Sequence, residues 1–539
     1  MARSPHHFVR RKLVEHMPSL HHEHNSYKWW VLANIMIGTF IAVLDATIVN
    51  VGMPKIMASF GITLDKAEWV ITAYMLVLGL MLPTSGWIAD HYGYKRSYFG
   101  ALFLFTLGSF LCGTASNETF LIAARVVQGA GAGFLMPVGM AIVMREFPVS
   151  QRGLALGFWA IAAAASISFG PLIGGYLIDN LSWHAIFDVN VPIGIMGMIA
   201  TLIIQREYKT EIVRSFDLVG FISMSAFLIS LLLALAEGNA SWNTGGWTSS
   251  FILACFAISF VGLAVFLVTE FTVEHPFVEL RLFKNFNFGM SSAILFIFGI
   301  GMFGSTFLLP VYLQNSLGYS AVQAGAVFLP VGLLQGGISP VSGFLSDKIN
   351  PKIPAVIGIV LLAFSMYLNS SLSLFSEHAQ IMLPLYIRGL AMGLLFTPLS
   401  TISLSSIPKQ KMAQASGLSN VVRQIGGSCG IAIFGTVLAR RVIYHSAIFG
   451  QAVDQNSTAF RNAARNVQLF AQQTTGGYSG DVAAKAGALI GSHVAQQAFV
   501  NAVDDAFFIA AVFSVIAVIP VLVLKTDKKE VVGMSEDLS

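Results

Sequence analysis

Charge is the commodity this chain lacks most. Only 11% of its 539 residues are Asp, Glu, Lys or Arg, against about 25% in a soluble globular protein. With 55% hydrophobic residues, a chain this long has too little polar surface to face water throughout, so lipid must be the solvent for most of it. Cysteine is nearly absent. Cys112, Cys255 and Cys429 all fall in apolar runs, which excludes a disulfide framework and any metal-ligating spacing. There is no Gly-x-x-x-x-Gly-Lys-Ser/Thr phosphate loop, so ATP does not drive this chain directly. The apolar runs carry neither clustered histidines nor paired carboxylates, so no enzyme, cofactor or metal site is expected. A net charge of +4, dispersed among short loops, gives no footprint for nucleic acid. The first 28 residues are polar and basic and contain no apolar core, which argues against a cleaved signal peptide. Half of the twelve histidines (His6, His7, His16, His21, His22 and His24) lie there, at spacings that match no defined metal site.

What the chain has instead is length of apolar sequence. Fourteen segments are long enough to cross about 30 Å of hydrocarbon as helices. They lie near 30–53, 68–89, 97–115, 119–144, 153–178, 184–204, 216–236, 249–270, 288–312, 322–346, 353–373, 379–402, 417–439 and 506–525. The runs are continuous rather than alternating, which selects helices over a β-barrel. Fifty glycines suit close helix approach in lipid. With the N-terminus in the cytoplasm, 21 of the Lys and Arg residues fall on the cytoplasmic side and 7 opposite. The positive-inside rule then puts both termini in the cytoplasm. The expected class is an all-α membrane protein of two six-helix bundles plus two extra central helices. Its parts are a tail (1–28), an N-terminal bundle (29–206), two inserted helices (207–284), a C-terminal bundle (285–527) with an extracytoplasmic loop (440–505), and a second tail (528–539). Within that loop, Ala484 to Phe508 reads either as an outward extension of the last span, able to dock a partner, or as part of a flexible cap.

The halves repeat. Pro83-x-Ser85-Gly86-x-x-x-Asp90 returns as Pro340-x-Ser342-Gly343-x-x-x-Asp347, and Arg125 returns as Arg388 at nearly the same offset. Register between two apolar halves points to a transporter that rocks about a central site. Asp45, deep in the first span, is the sharpest single residue. A charged carboxylate there costs several kcal/mol unless paired or hydrated, which makes Asp45 either a proton carrier or one partner of a fixed ion pair. Arg125 cannot discharge and must face a partner or a wet cavity; Asp45 is its candidate counter-ion. Arg388 has the same status in the second half, while Arg423 reads equally as a snorkelling side chain. The loop Asp90-His91-Tyr92-Gly93-Tyr94-Lys95-Arg96 sets an acid at a helix end beside two bases. With Gly86 and Asp347 it forms a candidate conformational switch, or simply a positive-inside loop. Gly170-Pro171-x-x-Gly174-Gly175 suits a hinge or a kink. Met75, Met81, Met136, Met140, Phe303 and Phe307 are cavity candidates, although packing is the commoner fate of such residues.

These motifs resemble those of the major facilitator superfamily, and within it the fourteen-span drug–proton antiporters of the EmrB/QacA type, over essentially the whole chain. Leu44-Asp45-x-Thr47-Ile48-Val49-Asn50-Val51-x-x-Pro54 is similar to that subgroup's first-helix signature. Gly86-x-x-x-Asp90-x-x-Gly93-x-Lys95-Arg96 resembles the superfamily loop motif. Arg125-x-x-Gln128-Gly129-x-Gly131 resembles the fourth-helix motif tied to proton coupling, and Gly170-Pro171-x-x-Gly174-Gly175 the fifth-helix antiporter motif. Trp183 to Phe187, with Asn190, Pro192 and Gly194, resembles the start of the subgroup's sixth helix. Ser166 departs from the usual Gly, His184 and Ala185 from a usual Arg and aromatic residue, and Asp188 from a usual apolar residue. Asp188 is thereby a second titratable candidate or a solvated interface residue.

The resemblance implies a proton-driven multidrug exporter of the inner membrane. Its substrates would be hydrophobic or cationic amphipathic compounds, and its partners protons, the bilayer, and in some relatives a periplasmic adaptor with an outer-membrane channel. On that reading Asp45 binds the proton and Arg125 tunes it. A proton-coupled nutrient symporter and a non-transporting receptor or scaffold are the alternatives.

Overall fold

The computed structural model describes residues 26–209, 217–240, 242–273, 276–405, 407–408, 411–452, 479–524 and isolated positions between 458 and 469. The histidine-rich N-terminal tail, Arg214, the C-terminal tail and most of 453–478 lie outside the described residues.

The described chain is built of long helices. They are α1 (Tyr27–Phe60), α2 (Leu64–Tyr92), α3 (Tyr94–Gly113), α4 (Glu118–Glu146), α5 (Arg152–Asn180), α6 (Asn190–Ile204), α7 (Leu218–Glu237), α8 (Ser250–Thr272), α9 (Phe286–Leu317), α10 (Leu329–Lys348), α11 (Lys352–Leu368), α12 (His378–Ser405), α13 (Met412–Ala452) and α14 (Ser479–Ile516). Short helices at Ala185–Asp188 and Ala321–Ala326 lead into α6 and α10, and Val518–Val523 follows α14. Thirteen helical spans among the described residues are long and apolar enough to cross a membrane. The twenty-residue α3 makes a fourteenth, its hydropathy lowered by Lys95 and Arg96 in the first turn. Local chemistry sets many boundaries. The side chains of Asn117, Asp217 and Asn285 accept from backbone N–H groups at the starts of α4, α7 and α9, as expected of N-caps. Gly61 and Gly318 close α1 and α9 in the left-handed region, at φ 63° and 69°.

Hydrophobic packing gathers the helices into two large cores. One is centred on α1 to α5, with residues of α7, α8 and the start of α13 against it; the other is centred on α9 to α12 and α14. α7 and α8 pack chiefly on each other, and α7 also touches α2 and α13. Two pairings dominate the contact between the halves: α5 with α10, the most extensive helix pairing in the molecule, and α2 with α13.

The ends of the last spans differ from expectation. α13 continues to Ala452 and α14 begins at Ser479, beyond the limits of 439 and 506 set by hydropathy. At 41 residues, α13 is about 60 Å long, twice the hydrocarbon thickness. Its end therefore stands outside the apolar layer, where Arg441 and His445 both meet Asp505 of α14, at 3.0 and 2.7 Å. Helix propensity and these polar contacts continue the helices where hydropathy stops, so Ala484–Phe508 extends the last span as a helix.

Candidate functional site

Asp45 lies in α1 with no exposed surface, and Arg125 of α4, 1% exposed, reaches it directly. Arg125 Nη1 donates to Asp45 Oδ2 at 2.5 Å. The other carboxylate oxygen accepts from Gln128 Nε2 at 2.7 Å and from Asn190 Nδ2 at 3.3 Å. Ser109 Oγ of α3 accepts from the same two amides, at 3.0 and 3.2 Å, and donates to the Phe187 carbonyl. The guanidinium is held on its remaining sides. Nε donates to the Val70 carbonyl at 3.0 Å, Nη1 also donates to Gln128 Oε1 at 2.7 Å, and the Tyr74 ring lies 4.0 Å away. One carboxylate and one guanidinium are thus taken out of solvent together, each with further hydrogen bonds, the condition under which such burial is tolerated.

Glycines make this geometry possible. A Cβ on Gly108 would overlap the Gln128 backbone, one on Gly131 would overlap that of Phe105, and one on Gly129 would lie 2.7 Å from the Tyr74 carbonyl. The small-residue face of α4 therefore lies directly on α2 and α3, and Arg125 and Gln128 project from it toward α1. Sequence reasoning quoted Gln128 and Asn190 as motif residues without a role, and it missed Ser109 and Tyr74. Their only signal was polarity within apolar runs. Asp188 is exposed and lies against Gly113, apart from this network.

At the end of the molecule bearing Asp90 and Asp347, the two copies of the repeated motif each seat on the opposite half. Asp90 accepts from Gln414 Nε2 in the first turn of α13 at 3.1 Å, and from Tyr94 Oη at 3.2 Å. A Cβ on Gly86 would lie 2.7 Å from Gln414 Cγ. Asp347 accepts from the backbone N–H groups of Gly153 and Leu154 at the start of α5, both at 2.9 Å. A carboxylate there satisfies orphan donors and meets the positive end of the helix dipole. Gly93, at φ 98°, turns the chain between α2 and α3. Beyond it the N–H groups of Lys95 and Arg96 donate to Glu207 at 3.1 and 3.2 Å, and Lys95 Nζ donates to the Leu202 carbonyl. Arg96 Nε also lies 3.7 Å from Glu207, so both bases are engaged at the end of α6 and just after it. Asp347→Asn removes the charge and half of the acceptor capacity. We expect it to weaken this closed arrangement by about 0.3–1 kcal/mol, up to a fivefold shift in population. Distances between spin labels at this end will read that shift.

The Gly170–Gly175 motif serves two neighbours. Gly170 and Gly174 admit Thr47 and Ile48 of α1, whereas Pro171 and Gly175 face Gly325 and Val322 of the second half. Ser166, the departure from glycine, donates to the Phe40 and Ala162 carbonyls at 2.8 and 2.7 Å and so ties α5 to α1.

Arg388 occupies in α12 the place that Arg125 has in α4, but Thr306 of α9 stands where an acid would be. Arg388 Nη2 donates to Thr306 Oγ1 and to the Met302 carbonyl, while its buried Nε and Nη1 have no hydrogen-bond partner among the described residues. Arg423 lies in α13, eleven residues past its start, and lines a cleft with residues of the other half. Met140 shares that cleft, whereas Met75, Met81 and Met136 pack against the first core and Phe307 against the second. Phe303 lies against Gly427. A buried charge without its counter-ion is costly, and breaking a buried pair costs about 3–5 kcal/mol. Arg388→Met is therefore expected to leave the thermal midpoint of the purified protein unchanged or raise it, while Arg125→Met lowers it sharply. Equal losses would show that Arg388 has stabilising partners of its own.

Comparison with known proteins agrees with this architecture. Residues 35–431 match the family model described as Major Facilitator Superfamily. The chain is 30% identical to the uncharacterized MFS-type transporter YhcA of Bacillus subtilis, over 93% of both chains. It is also 30% identical to the multidrug export protein EmrB of Haemophilus influenzae, over 88% of this chain and 92% of that one. Among solved structures, the human organic anion transporter MFSD10 superposes with a TM-score of 0.60 at 12% identity, covering 92% of this chain and 99% of that chain.

Proposed function

This chain belongs to the major facilitator superfamily, and we propose that within it the protein exports amphipathic compounds across the cytoplasmic membrane in exchange for protons. The observation that carries the proposal is the buried Asp45–Arg125 pair with its ring of amides. A carboxylate held only by protein groups in an apolar bundle has two stable states: ionised against Arg125, or protonated with that ion pair broken. Protonation frees the guanidinium and loosens the junction of α1, α3, α4 and α6. Because α5 packs on α1 through Gly170 and Gly174, that loosening bears on the face that meets the second half. Binding of a substrate to one conformation and of a proton to the other then couples the two fluxes by linkage.

The excess of basic residues supports a cytoplasmic location for the Asp90/Asp347 end. The Asp90–Gln414 and Asp347–α5 contacts then close the protein toward the cytoplasm, and their release opens it inward. The division into bundles at 29–206 and 285–527, with the pair at 207–284 between them, makes α5–α10 and α2–α13 the surfaces that rock. On this reading the projecting ends of α13 and α14 offer an outer surface to a periplasmic adaptor. The name of the EmrB relative favours multidrug export over nutrient uptake. The test is transport in proteoliposomes under an imposed pH gradient, with a fluorescent amphiphile as substrate. Concentration of the probe on the acidic side supports antiport. Accumulation on the alkaline side supports the symport alternative, and no gradient-driven movement of any amphiphile would remove the proposal.

A further inference from the structure

We infer that Arg423 is the head-group subsite of the transport cavity and that it selects amphiphiles bearing a carboxylate. The inference rests on the export reading above and names its substrate class. From Gly417, where the apolar run begins, to Arg423, α13 rises about 9 Å, about a third of the hydrocarbon core. The side chain therefore sits inside the apolar layer, and it lines a cleft between the halves. The cleft it lines is closed on one side by Met140 of α4 and on the other by Phe396, Ser403, Ser419 and Asn420 of α12 and α13. Phe396 also stacks on Trp159 of α5, at 6.1 Å between ring centroids, so the aromatic wall bridges both halves.

Arg423 Nη2 donates to Asn420 Oδ1 at 2.9 Å, and the Phe396 ring lies 5.6 Å from the guanidinium carbon. No carboxylate lines the cleft, and no ion pair to Arg423 occurs among the described residues. Asp45, the acid of the first half, is committed to Arg125. The cleft therefore presents one permanent positive charge beside the hydroxyls of Ser403 and Ser419, 3.4 Å apart, with Phe396 and Met140 as apolar surface.

A cationic ligand placed there would add a second positive charge in a poorly screened site. A carboxylate would supply the missing counter-ion, take two parallel N–H bonds from the guanidinium and accept from the serines, while its apolar tail lies on Phe396 and Met140. This adds an anionic preference to the hydrophobic or cationic amphipathic compounds that the family resemblance implies. In the present conformation the cleft holds about 10 Å³, room for roughly one water, whereas a drug-sized ligand needs about 300 Å³ or more. The subsite must therefore open as the halves part.

The test uses the full-length protein in lipid nanodiscs and two dansyl-tagged probes with the same long alkyl tail, one ending in a carboxylate and the other in a trimethylammonium group. Protein-free discs supply the partitioning background. Wild type is expected to bind the carboxylate probe roughly 10- to 100-fold more tightly than its counterpart, the scale of a charge-assisted bidentate contact. Arg423→Gln is expected to abolish that preference and Arg423→Lys to retain most of it. A wild-type preference for the trimethylammonium probe, or an unchanged ratio in Arg423→Gln, overturns the inference. Proton-driven flux of the same probes separates it from the export reading. Arg423-dependent binding without such flux leaves the subsite standing and removes antiport. Proton-driven flux of the cation that is indifferent to Arg423 leaves antiport standing and removes the subsite.

Discussion

Asp45→Asn is expected to reduce proton-driven transport roughly 100-fold or more, the scale on which loss of an obligatory proton-transfer group acts, while substrate binding persists. The substituted amide keeps the size of the side chain and an oxygen for Gln128 and Asn190, but it cannot exchange a proton. It also strands Arg125, whose Nη1 now meets Asp45 at 2.5 Å. Removal of one member of a buried ion pair costs about 3–5 kcal/mol, so a lower thermal midpoint is expected alongside the transport defect. The two effects separate in the double variant Asp45→Asn/Arg125→Gln. With the stranded charge gone, the midpoint should recover much of its loss, yet gradient-driven transport should stay absent. Recovery of both would mean that Asp45 serves only to neutralise Arg125. Substrate exchange without a pH gradient provides the control that the variants still cycle.

Gly157→Val is expected to give the largest conformational effect. A Cβ at Gly157 would lie 2.5 Å from the Ser339 carbonyl oxygen and 2.6 Å from Pro340 Cα. Both are backbone atoms of α10 that no rotamer change can move. Overpacking of a tight contact costs about 1–3 kcal/mol, which displaces the equilibrium between packed and parted halves roughly 5- to 150-fold. Because each half keeps its own core, the variant should fold and insert while transport falls about tenfold or more. Spin labels at Val149 and Ile349, both exposed near this contact, should report longer distances than in wild type. Lost transport with an unchanged distance distribution would show that the glycine acts by some route other than helix approach.

Much of the fold was legible because lipid imposes a coarse rule. A span needs a continuous apolar run, and the runs in this sequence mark thirteen helices directly and α3 nearly so. The repeat of Gly86/Asp90 as Gly343/Asp347 marked the two positions where one half seats on the other. What the repeat could not supply was the partner. Asp347 meets the backbone N–H groups of Gly153 and Leu154, almost 200 residues away, and no side-chain pattern records a helix N-terminus as a ligand.

The same limit applied at the buried pair. Asp45 and Arg125 stood out because charge is rare in these spans. Ser109 and Asn190 did not, since a single serine or asparagine in an apolar run is common and its bonding depends on how α3 and α6 are packed. Nor could the repeat show that Thr306 stands opposite Arg388, leaving that arginine without an acidic partner among the described residues. The extensions of α13 and α14 escaped hydropathy because Arg440, Arg441 and His445 interrupt the apolar run in the first, and the alanine-rich sequence before Asp505 in the second is helix-forming but weakly apolar.

The most direct test of the account is the direction of proton movement when the substrate gradient alone supplies the energy. Proteoliposomes loaded with amphiphile and a pH-sensitive dye, then diluted into substrate-free buffer, are predicted to acidify inside as protons enter against the departing substrate. The signal is measured relative to protein-free vesicles and should vanish in Asp45→Asn. Internal alkalinisation beyond that background, or substrate efflux through wild type with no proton movement, would contradict proton antiport through Asp45.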